Sequence, residues 1–179
     1  MKALIVIDVQ QGLFKAEPAP AFAGEVIARI NMLTKRARDQ GVPVIFVQHE
    51  LTSGNFLLNG SGSWALDERL ITADTDHQVS KTTPDSFLRT DLEAVLQQAD
   101  ASHLVVCGYA TEFCVDTTIR RAAGLGYQIT LVSDAHTTQP KPHADAAQII
   151  AHHTATLSSI KSFGVRIQAQ ETEAVDFNS

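Results

Sequence analysis

The sequence predicts an α/β fold, a doubly wound six-stranded parallel sheet of strand order 3-2-1-4-5-6 with helices on both faces. Two observations support this prediction. Apolar runs of strand length alternate along the chain with segments in which apolar residues recur at helical spacing. The runs are apolar throughout rather than at every second residue, which is typical of parallel strands buried on both faces.

The first predicted strand covers residues 3–9 and carries Asp8 near its carboxyl end. A loop with two prolines follows. The next segment is a predicted helix that Gly41 ends, and its apolar face contains Phe22, Val26, Ile30 and Leu33. Residues 43–47 form the second predicted strand, which continues into polar residues at 48–50.

The middle of the chain begins with a long loop, rich in glycine and asparagine, from Leu51 to Trp64. Long loops in compact domains are often functional. Residues 66–70 are a possible short helix, and residues 78–81 give a short strand signal. A helix is predicted to start at residues 83–86, with an apolar face of Leu88, Leu92, Val95 and Leu96.

The last third of the chain supplies the remaining elements. Strands are predicted at residues 104–108, 127–132 and 165–167, and helices from near Cys114 to Gly126 and over residues 142–153. The tail from about residue 171 is polar, so we expect it to be loosely held. The whole chain, residues 1–179, is interpreted as a single domain.

Composition excludes several classes of partner and location. The net charge is −6 and there is no basic run, so neither nucleic acid nor an anionic membrane surface is an expected partner. Two cysteines on buried-looking elements do not make a disulfide framework. The apolar run at the N-terminus is too short for a signal peptide or a membrane span. These features predict a cytoplasmic protein.

Cys114 is the candidate nucleophile. It lies in the turn before a predicted helix, where unpaired backbone N–H groups and the helix dipole favour a thiolate. We therefore expect the pKa of Cys114 to lie below the reference value of about 8.5. The alternative is a small buried apolar residue, the usual role of a lone cysteine. For Cys107, within the fourth strand, that alternative is the prediction.

Asp8 and Lys81 are the candidate partners of Cys114. Asp8 ends the first strand and Cys114 follows the fourth, so the predicted strand order brings both to one cleft. The alternatives are a loop cap for Asp8 and an exposed side chain for Lys81. Strand three lies two strands from strand one, about 10 Å, so Lys81 should reach Asp8 only if its loop leans inward. The three groups would supply a nucleophile, a proton carrier and a balancing charge.

Three segments resemble the motifs of the isochorismatase-like cysteine hydrolases, a family that includes nicotinamidases, N-carbamoylsarcosine amidases and ureidoacrylate-type amidases. The segments read IVIDVQ at residues 5–10, KTTPDSF at residues 81–87 and GYATEFCV at residues 108–115. The third is the specific one. The resemblance extends from about Lys2 to Ala135.

The resemblance implies a catalytic triad of Cys114, Asp8 and Lys81, and a cis peptide bond between Ala110 and Thr111. It also implies an oxyanion hole formed by the backbone N–H groups of Thr111 and Cys114. The implied activity is metal-independent hydrolysis of a C–N bond in a small amide, carbamoyl or lactam-like compound through a thioester. True isochorismatases of the family cleave a vinyl ether and lack the cysteine, so C–N hydrolysis is favoured here.

No metal or other cofactor is expected. Nicotinamidases of the family commonly bind a metal through an aspartate-x-histidine after strand two and a second histidine, whereas this chain has Gln48, His49 and Glu50 there. Zinc needs several suitable ligands, and His49 and His77 are expected to face solvent. By analogy with the family, we expect a homo-oligomer, a dimer or larger, that acts on a small molecule.

The predicted substrate pocket is built from side chains close to the three motifs. These residues are Gln10, Phe14, Trp64, Phe87 and Phe113. The alternative for each aromatic ring is a place in the core, and for Gln10 a strand cap. The loop from Leu51 to Trp64, or a neighbouring subunit, is expected to set specificity.

Three other functions stay open as alternatives. A non-catalytic binding or interaction module would retain the fold, and a missing triad residue would indicate it, but none is missing. A vinyl-ether hydrolase of the isochorismatase type is the second. A dinucleotide-binding oxidoreductase would need a glycine-x-glycine-x-x-glycine after strand one, where the chain reads DVQQG at residues 8–12.

Overall fold

A computed structural model describes residues 1–178 and contains one six-stranded sheet in the order β3-β2-β1-β4-β5-β6. Every pair of neighbouring strands is parallel. The strands are β1 (Lys2–Ile7), β2 (Val44–His49), β3 (His77–Lys81), β4 (His103–Tyr109), β5 (Gln128–Thr137) and β6 (Ile167–Gln170). The predicted fold class and strand order are confirmed.

The helices differ widely in length. The α-helices are α1 (Gln11–Phe14), α2 (Ala23–Asp39), α3 (Leu92–Gln98), α4 (Asp116–Gly124) and α5 (Ala146–Ser159). A π-helical turn, Thr111–Val115, precedes α4, and a short 3₁₀ helix, Thr172–Ala174, follows β6. Within residues 1–178, none of the helices combines the length and the apolar character needed to cross a bilayer.

The core has two parts, one on each face of the sheet. On β1, Ile5 and Ile7 pack with residues of α3 and α4, whereas Leu4 and Val6 pack with residues of α2. Successive side chains of a strand point to opposite faces, so the uniformly apolar strands are buried on both sides. The helices therefore cover both faces, as predicted.

The predicted start of α3 is wrong. The chain forms bends and one turn, at residues 88–89, between residues 83 and 91, and α3 begins only at Leu92. Polar side chains bind the local backbone in this segment: the Thr90 hydroxyl donates to the Ser86 carbonyl, and Asp85 Oδ1 accepts from the Phe87 N–H. Such bonds compete with helix formation. The predicted short helix at residues 66–70 is also wrong: Leu66 forms an isolated β-bridge with Gln10, and a single turn follows at residues 68–69.

The C-terminal tail is packed rather than loosely held, so that prediction is also wrong. Val175 and Phe177 are buried in the same core part as α2. The N–H and hydroxyl of Thr172 both donate to Oδ1 of Asp134, each at 2.8 Å. The tail is mostly polar, but two of its side chains are apolar and pack into the core. The carboxylate of Asp134 on β5 binds the start of the tail.

The close approach of β1 and β4 depends on Gly108. Its φ is +118°, and a Cβ atom at this position would lie 2.1 Å from the Ile7 carbonyl oxygen. Only glycine fits both the conformation and the space. The contact brings the residues that follow β4 close to Asp8, the residue after Ile7.

Candidate active site

Asp8, Lys81 and Cys114 meet at the carboxyl edge of the sheet although they belong to three separate elements. Asp8 follows β1, Lys81 ends β3, and Cys114 lies in the π-helical turn after β4. Nζ of Lys81 lies 2.8 Å from Oδ2 of Asp8 and 3.2 Å from Sγ of Cys114. The structure thus brings together the three side chains that were predicted to act jointly.

Lys81 reaches Asp8 by extending its side chain across β2. No inward-leaning loop is required, because Lys81 is itself a strand residue. Asp8 and Lys81 are each 1% exposed. Two charges removed from water to this degree depend on each other for compensation.

The two carboxylate oxygens of Asp8 differ in their environment. Oδ2 accepts the hydrogen bond from Lys81, whereas Oδ1 is buried and has no hydrogen-bond partner among residues 1–178. The backbone at Asp8 has a φ of 52°, a left-handed conformation that is uncommon outside glycine. An unpaired buried acceptor costs stability, and this oxygen is suited to accept a proton from a nearby thiol.

The expected low pKa of Cys114 is wrong. Burial first, and then the negative charge of Asp8, raise the pKa of the Cys114 thiol to about 12, and Lys81 offsets this only in part. Cys114 does not start a long helix, because the π-helical turn begins at Thr111 and α4 at Asp116. Removal from water disfavours the charged thiolate relative to the neutral thiol. The resting cysteine is a thiol, and it requires a base when it attacks.

The turn between β4 and Cys114 is tightly folded. It contains a cis peptide bond at Tyr109–Ala110, one bond before the predicted position between Ala110 and Thr111, so that prediction is wrong. A cis peptide bond that does not precede proline has no characteristic residue, so the motif sequence alone does not identify which bond is cis. The Ala110 carbonyl accepts hydrogen bonds of 3.1 Å from the N–H groups of Phe113 and Val115.

Thr111 is held by a chain of buried hydrogen bonds. Its hydroxyl lies 2.8 Å from Nδ1 of His136, and Nε2 of His136 lies 3.0 Å from the Thr154 hydroxyl. The Thr154 hydroxyl donates to the Ile150 carbonyl, so it accepts from the Nε2–H of His136. Nδ1 therefore accepts from Thr111. Sequence reasoning missed His136, although it lies on β5 at the edge where the other strands supply site residues.

The folded protein is expected to lose stability as the pH falls from about 6.5, the ordinary pKa of histidine, towards 4. Burial lowers the pKa of His136 to about 4. In this window the unfolded chain binds the proton and the folded chain does not, so acid favours unfolding by ~3 kcal/mol across the whole window. Urea unfolding at a series of pH values measures this loss.

The matched control is His136→Gln, which removes the titrating ring and keeps polar atoms. Its stability should fall less steeply than that of the unchanged protein across the same window. Equal slopes for the two proteins would show that His136 does not carry the effect.

A cavity of about 240 Å³ opens beside Asp8 and Cys114. Most of its walls are apolar. They are formed by Leu13, Leu57, Pro84, Tyr109, Ala110 and Phe113, together with His49. Small apolar cavities with few polar groups are typical of small-molecule sites.

Of the predicted pocket residues, Phe113 lines this cavity and is 53% exposed. Phe14 and Phe87 lie in the core instead, so their prediction as pocket walls is wrong. The ring of Phe14 packs edge-on against Tyr109, and the ring of Phe87 packs against Tyr127, with centroids 5.8 Å and 5.9 Å apart.

Gln10 and Trp64 form a support behind the cavity rather than its wall. The Gln10 side chain is buried, and its Nε2 donates to the carbonyls of His49 and Trp64 at 2.9 Å and 2.8 Å. Its Oε1 accepts from the His49 N–H at 2.9 Å. The side chain of Gln10 therefore fixes the end of β2 against the loop that contains Trp64.

His49 is half-buried and lines the cavity, so the expectation that it faces solvent is wrong; His77 is exposed. Burial and the charge of Lys81 lower the pKa of His49, which keeps its ring neutral. Its place at the carboxyl end of β2, next to β1, is the signal that could have identified it. Among residues 1–178, no group of three or more His, Cys, Asp or Glu side chains is arranged to hold a metal ion.

Comparison with known proteins finds relatives along most of the chain. The family model for the isochorismatase domain matches residues 2–162. Streptothricin hydrolase of Streptomyces noursei is 35% identical over 144 residues, 80% of this chain, and the chain spans only 52% of that protein. The isochorismatase family protein YddQ of Bacillus subtilis strain 168 is 32% identical over 180 residues, 96% of this chain and 97% of YddQ. A crystal structure of an isochorismatase family protein, 36% identical, gives a TM-score of 0.86 and covers 95% of this chain and 98% of that one.

Proposed function

This chain belongs to the isochorismatase family, and on that premise we propose that it is a metal-independent cysteine hydrolase. The proposed reaction is cleavage of a C–N bond in a small amide, carbamoyl or lactam-like compound, through a thioester on Cys114. The observation that carries the proposal is the contact of Lys81 with both Asp8 and Cys114 beside an open cavity. The likeness to streptothricin hydrolase supports hydrolysis as the type of reaction.

In the proposed acylation step, Sγ of Cys114 attacks the amide carbonyl carbon while Oδ1 of Asp8 takes the thiol proton. The high pKa of Cys114 makes a free thiolate scarce, so proton transfer accompanies formation of the S–C bond. Nζ of Lys81 contacts both groups and balances the charge that moves from the carboxylate to the sulfur. The carbonyl electron pair moves to oxygen and forms the oxyanion.

The backbone N–H groups of Thr111 and Cys114 are proposed to bind this oxyanion. When it collapses, the C–N bond breaks and the amine leaves with the proton that Asp8 had accepted. Water then attacks the thioester; Asp8 takes a proton from the water and returns one to the departing sulfur. The products are a carboxylic acid and an amine, which is ammonia when the substrate is a primary amide, and Cys114 is again a thiol.

The acyl group of the substrate is expected to be small and uncharged. The cavity walls are mostly apolar, and Lys81 is already engaged by Asp8. Lys141, which lies over the ring of Phe113, is paired with Glu112 at 3.4 Å. A carboxylate on the acyl group would be a second negative charge beside Asp8, without a free counter-charge among the cavity-lining residues. We therefore expect kcat/KM for propionamide and benzamide to exceed that for succinamate and terephthalamate at least about tenfold. Release of ammonia measures turnover of all four primary amides, and a preference for the carboxylates would contradict the expectation.

Trapping the acylated enzyme tests the reaction itself. Acid quenching during turnover, followed by mass analysis of the peptide that contains Cys114, should show the added mass of the acyl group. Hydrolysis without acylation at Cys114 would refute the mechanism. An absence of both turnover and acylation, with the amides and with an activated ester, would refute the hydrolase proposal.

A further inference from the structure

The ammonium group of Lys81 has more acceptors within reach than it has protons. Nζ lies 2.8 Å from Oδ2 of Asp8 and 3.1 Å from the Thr83 carbonyl. It also lies 3.2 Å from Nδ1 of His49 and 3.2 Å from Sγ of Cys114. A lysine ammonium has only three N–H donors. The two shorter contacts use two of them, so His49 and Cys114 compete for the third.

The two competitors differ in strength as acceptors. The thiol sulfur of Cys114 is a weak acceptor. The ring of His49 is neutral, since burial and the charge of Lys81 lower its pKa. Because Nδ1 faces the ammonium, the ring proton lies on Nε2 and Nδ1 offers a lone pair. In the resting site the third N–H of Lys81 therefore donates to Nδ1 of His49. A thiolate at Cys114 would be a stronger acceptor for the same N–H.

We propose that His49 is a positioning residue, which holds the third N–H of Lys81 while Cys114 is a thiol and releases it to the sulfur as the thiol proton leaves. This inference rests on the proposed function of Cys114 as the nucleophile. Its consequence is a cysteine that stays protonated and slow to react until Asp8 takes the proton. Without the acceptor at His49, the N–H would point at the sulfur permanently and the thiolate would be more populated.

Substitution at His49 should leave the surrounding backbone in place. The His49 N–H and carbonyl are both bound by the Gln10 side chain, at 2.9 Å each, whatever side chain His49 carries. The ionisable groups around Cys114 come from four strands and its own turn. They are Asp8 after β1, His49 on β2, Lys81 on β3, Tyr109 on β4, and Glu112 on the π-helical turn. Oε1 of Glu112 accepts from the Thr138 hydroxyl and pairs with Nζ of Lys141 at 3.4 Å.

The test compares His49→Leu with His49→Asn. Leucine removes the acceptor, whereas asparagine retains an oxygen where Nδ1 lay. The measurement is the rate of Cys114 alkylation by iodoacetamide between about pH 6 and pH 9, where the rate follows the thiolate fraction. Mass analysis of the peptide that contains Cys114 separates it from Cys107, which is fully buried.

The pKa of Cys114 should fall by about one unit in His49→Leu, so that alkylation is about tenfold faster at each pH. His49→Asn should stay within about twofold of the unchanged protein. A fall in the pKa of Cys114 in His49→Leu would be diagnostic, because the added apolar side chain would by itself raise the pKa of the thiol.

Two results would overturn the inference: no acceleration in His49→Leu, or equal acceleration in both variants, since the bulk of the ring rather than its acceptor would then matter. Failure of the proposed function would show differently. The unchanged protein would then lack amide hydrolysis that depends on Cys114, and the same preparations measure this directly.

Discussion

Cys114→Ala is expected to lower the rate of amide hydrolysis by at least about four orders of magnitude. The sulfur carries the acyl group between the two half-reactions, and no neighbouring atom can replace it in the proposed scheme. Cys114→Ser should be nearly as inactive, because a serine hydroxyl gives up its proton less readily than a thiol. Ammonia release from a primary amide over long incubations, with mass analysis for the acyl group, measures both variants.

Cys107→Ala is the matched control. Cys107 is buried within β4, where its Sγ lies 3.6 Å from the Ile5 carbonyl, and burial strongly raises its pKa. Removing this thiol should cost about 1 kcal/mol of folding stability through the small space it leaves and should leave turnover unchanged. Activity that survives in Cys114→Ala but not in Cys107→Ala would refute the assignment of the nucleophile.

The meeting of Asp8 and Cys114 could be predicted because it depends only on strand order. Each residue follows a buried apolar run, and parallel strands end at one edge of the sheet. The contact with Lys81 could not be predicted with the same certainty. The spacing between strands separates the backbones of Asp8 and Lys81, and only the extended lysine side chain across β2 closes the distance.

The cavity walls could not be predicted from residue type. Phe87 and Phe113 both lie within the motif segments, yet one is buried against Tyr127 and the other is exposed beside Cys114. The face that a side chain takes depends on the exact rotation per residue. The π-helical turn Thr111–Val115 departs from the helical period that sequence analysis assumes.

The pKa of Cys114 also could not be predicted from the local sequence. The neighbouring sequence indicates a helix end, which favours the thiolate, but the larger effect is burial by residues distant in the chain. Desolvation is a property of the packed structure. The sequence around Cys114 therefore indicates its role better than its protonation state.

Lys81→Met is expected to destabilise the protein by about 3–5 kcal/mol, because it leaves the carboxylate of Asp8 buried without its counter-charge. Asp8→Asn should cost a similar amount, since it leaves the ammonium of Lys81 unpaired. The double variant removes both charges with little change of shape, so its stability should return to within about 1 kcal/mol of the unchanged protein. Urea unfolding at fixed pH measures the four proteins.

Activity and stability should separate in the double variant, which is expected to be folded but inactive because both the proton acceptor and the balancing charge are gone. Lys35→Met is the matched control: it breaks the exposed ion pair with Asp39 and should cost at most about 0.5 kcal/mol. If the double variant were as unstable as the sum of the two single variants, the charges of Asp8 and Lys81 would not be coupled. The proposed exchange of charge between carboxylate and sulfur requires that coupling, since Lys81 can balance the sulfur only if it already balances Asp8.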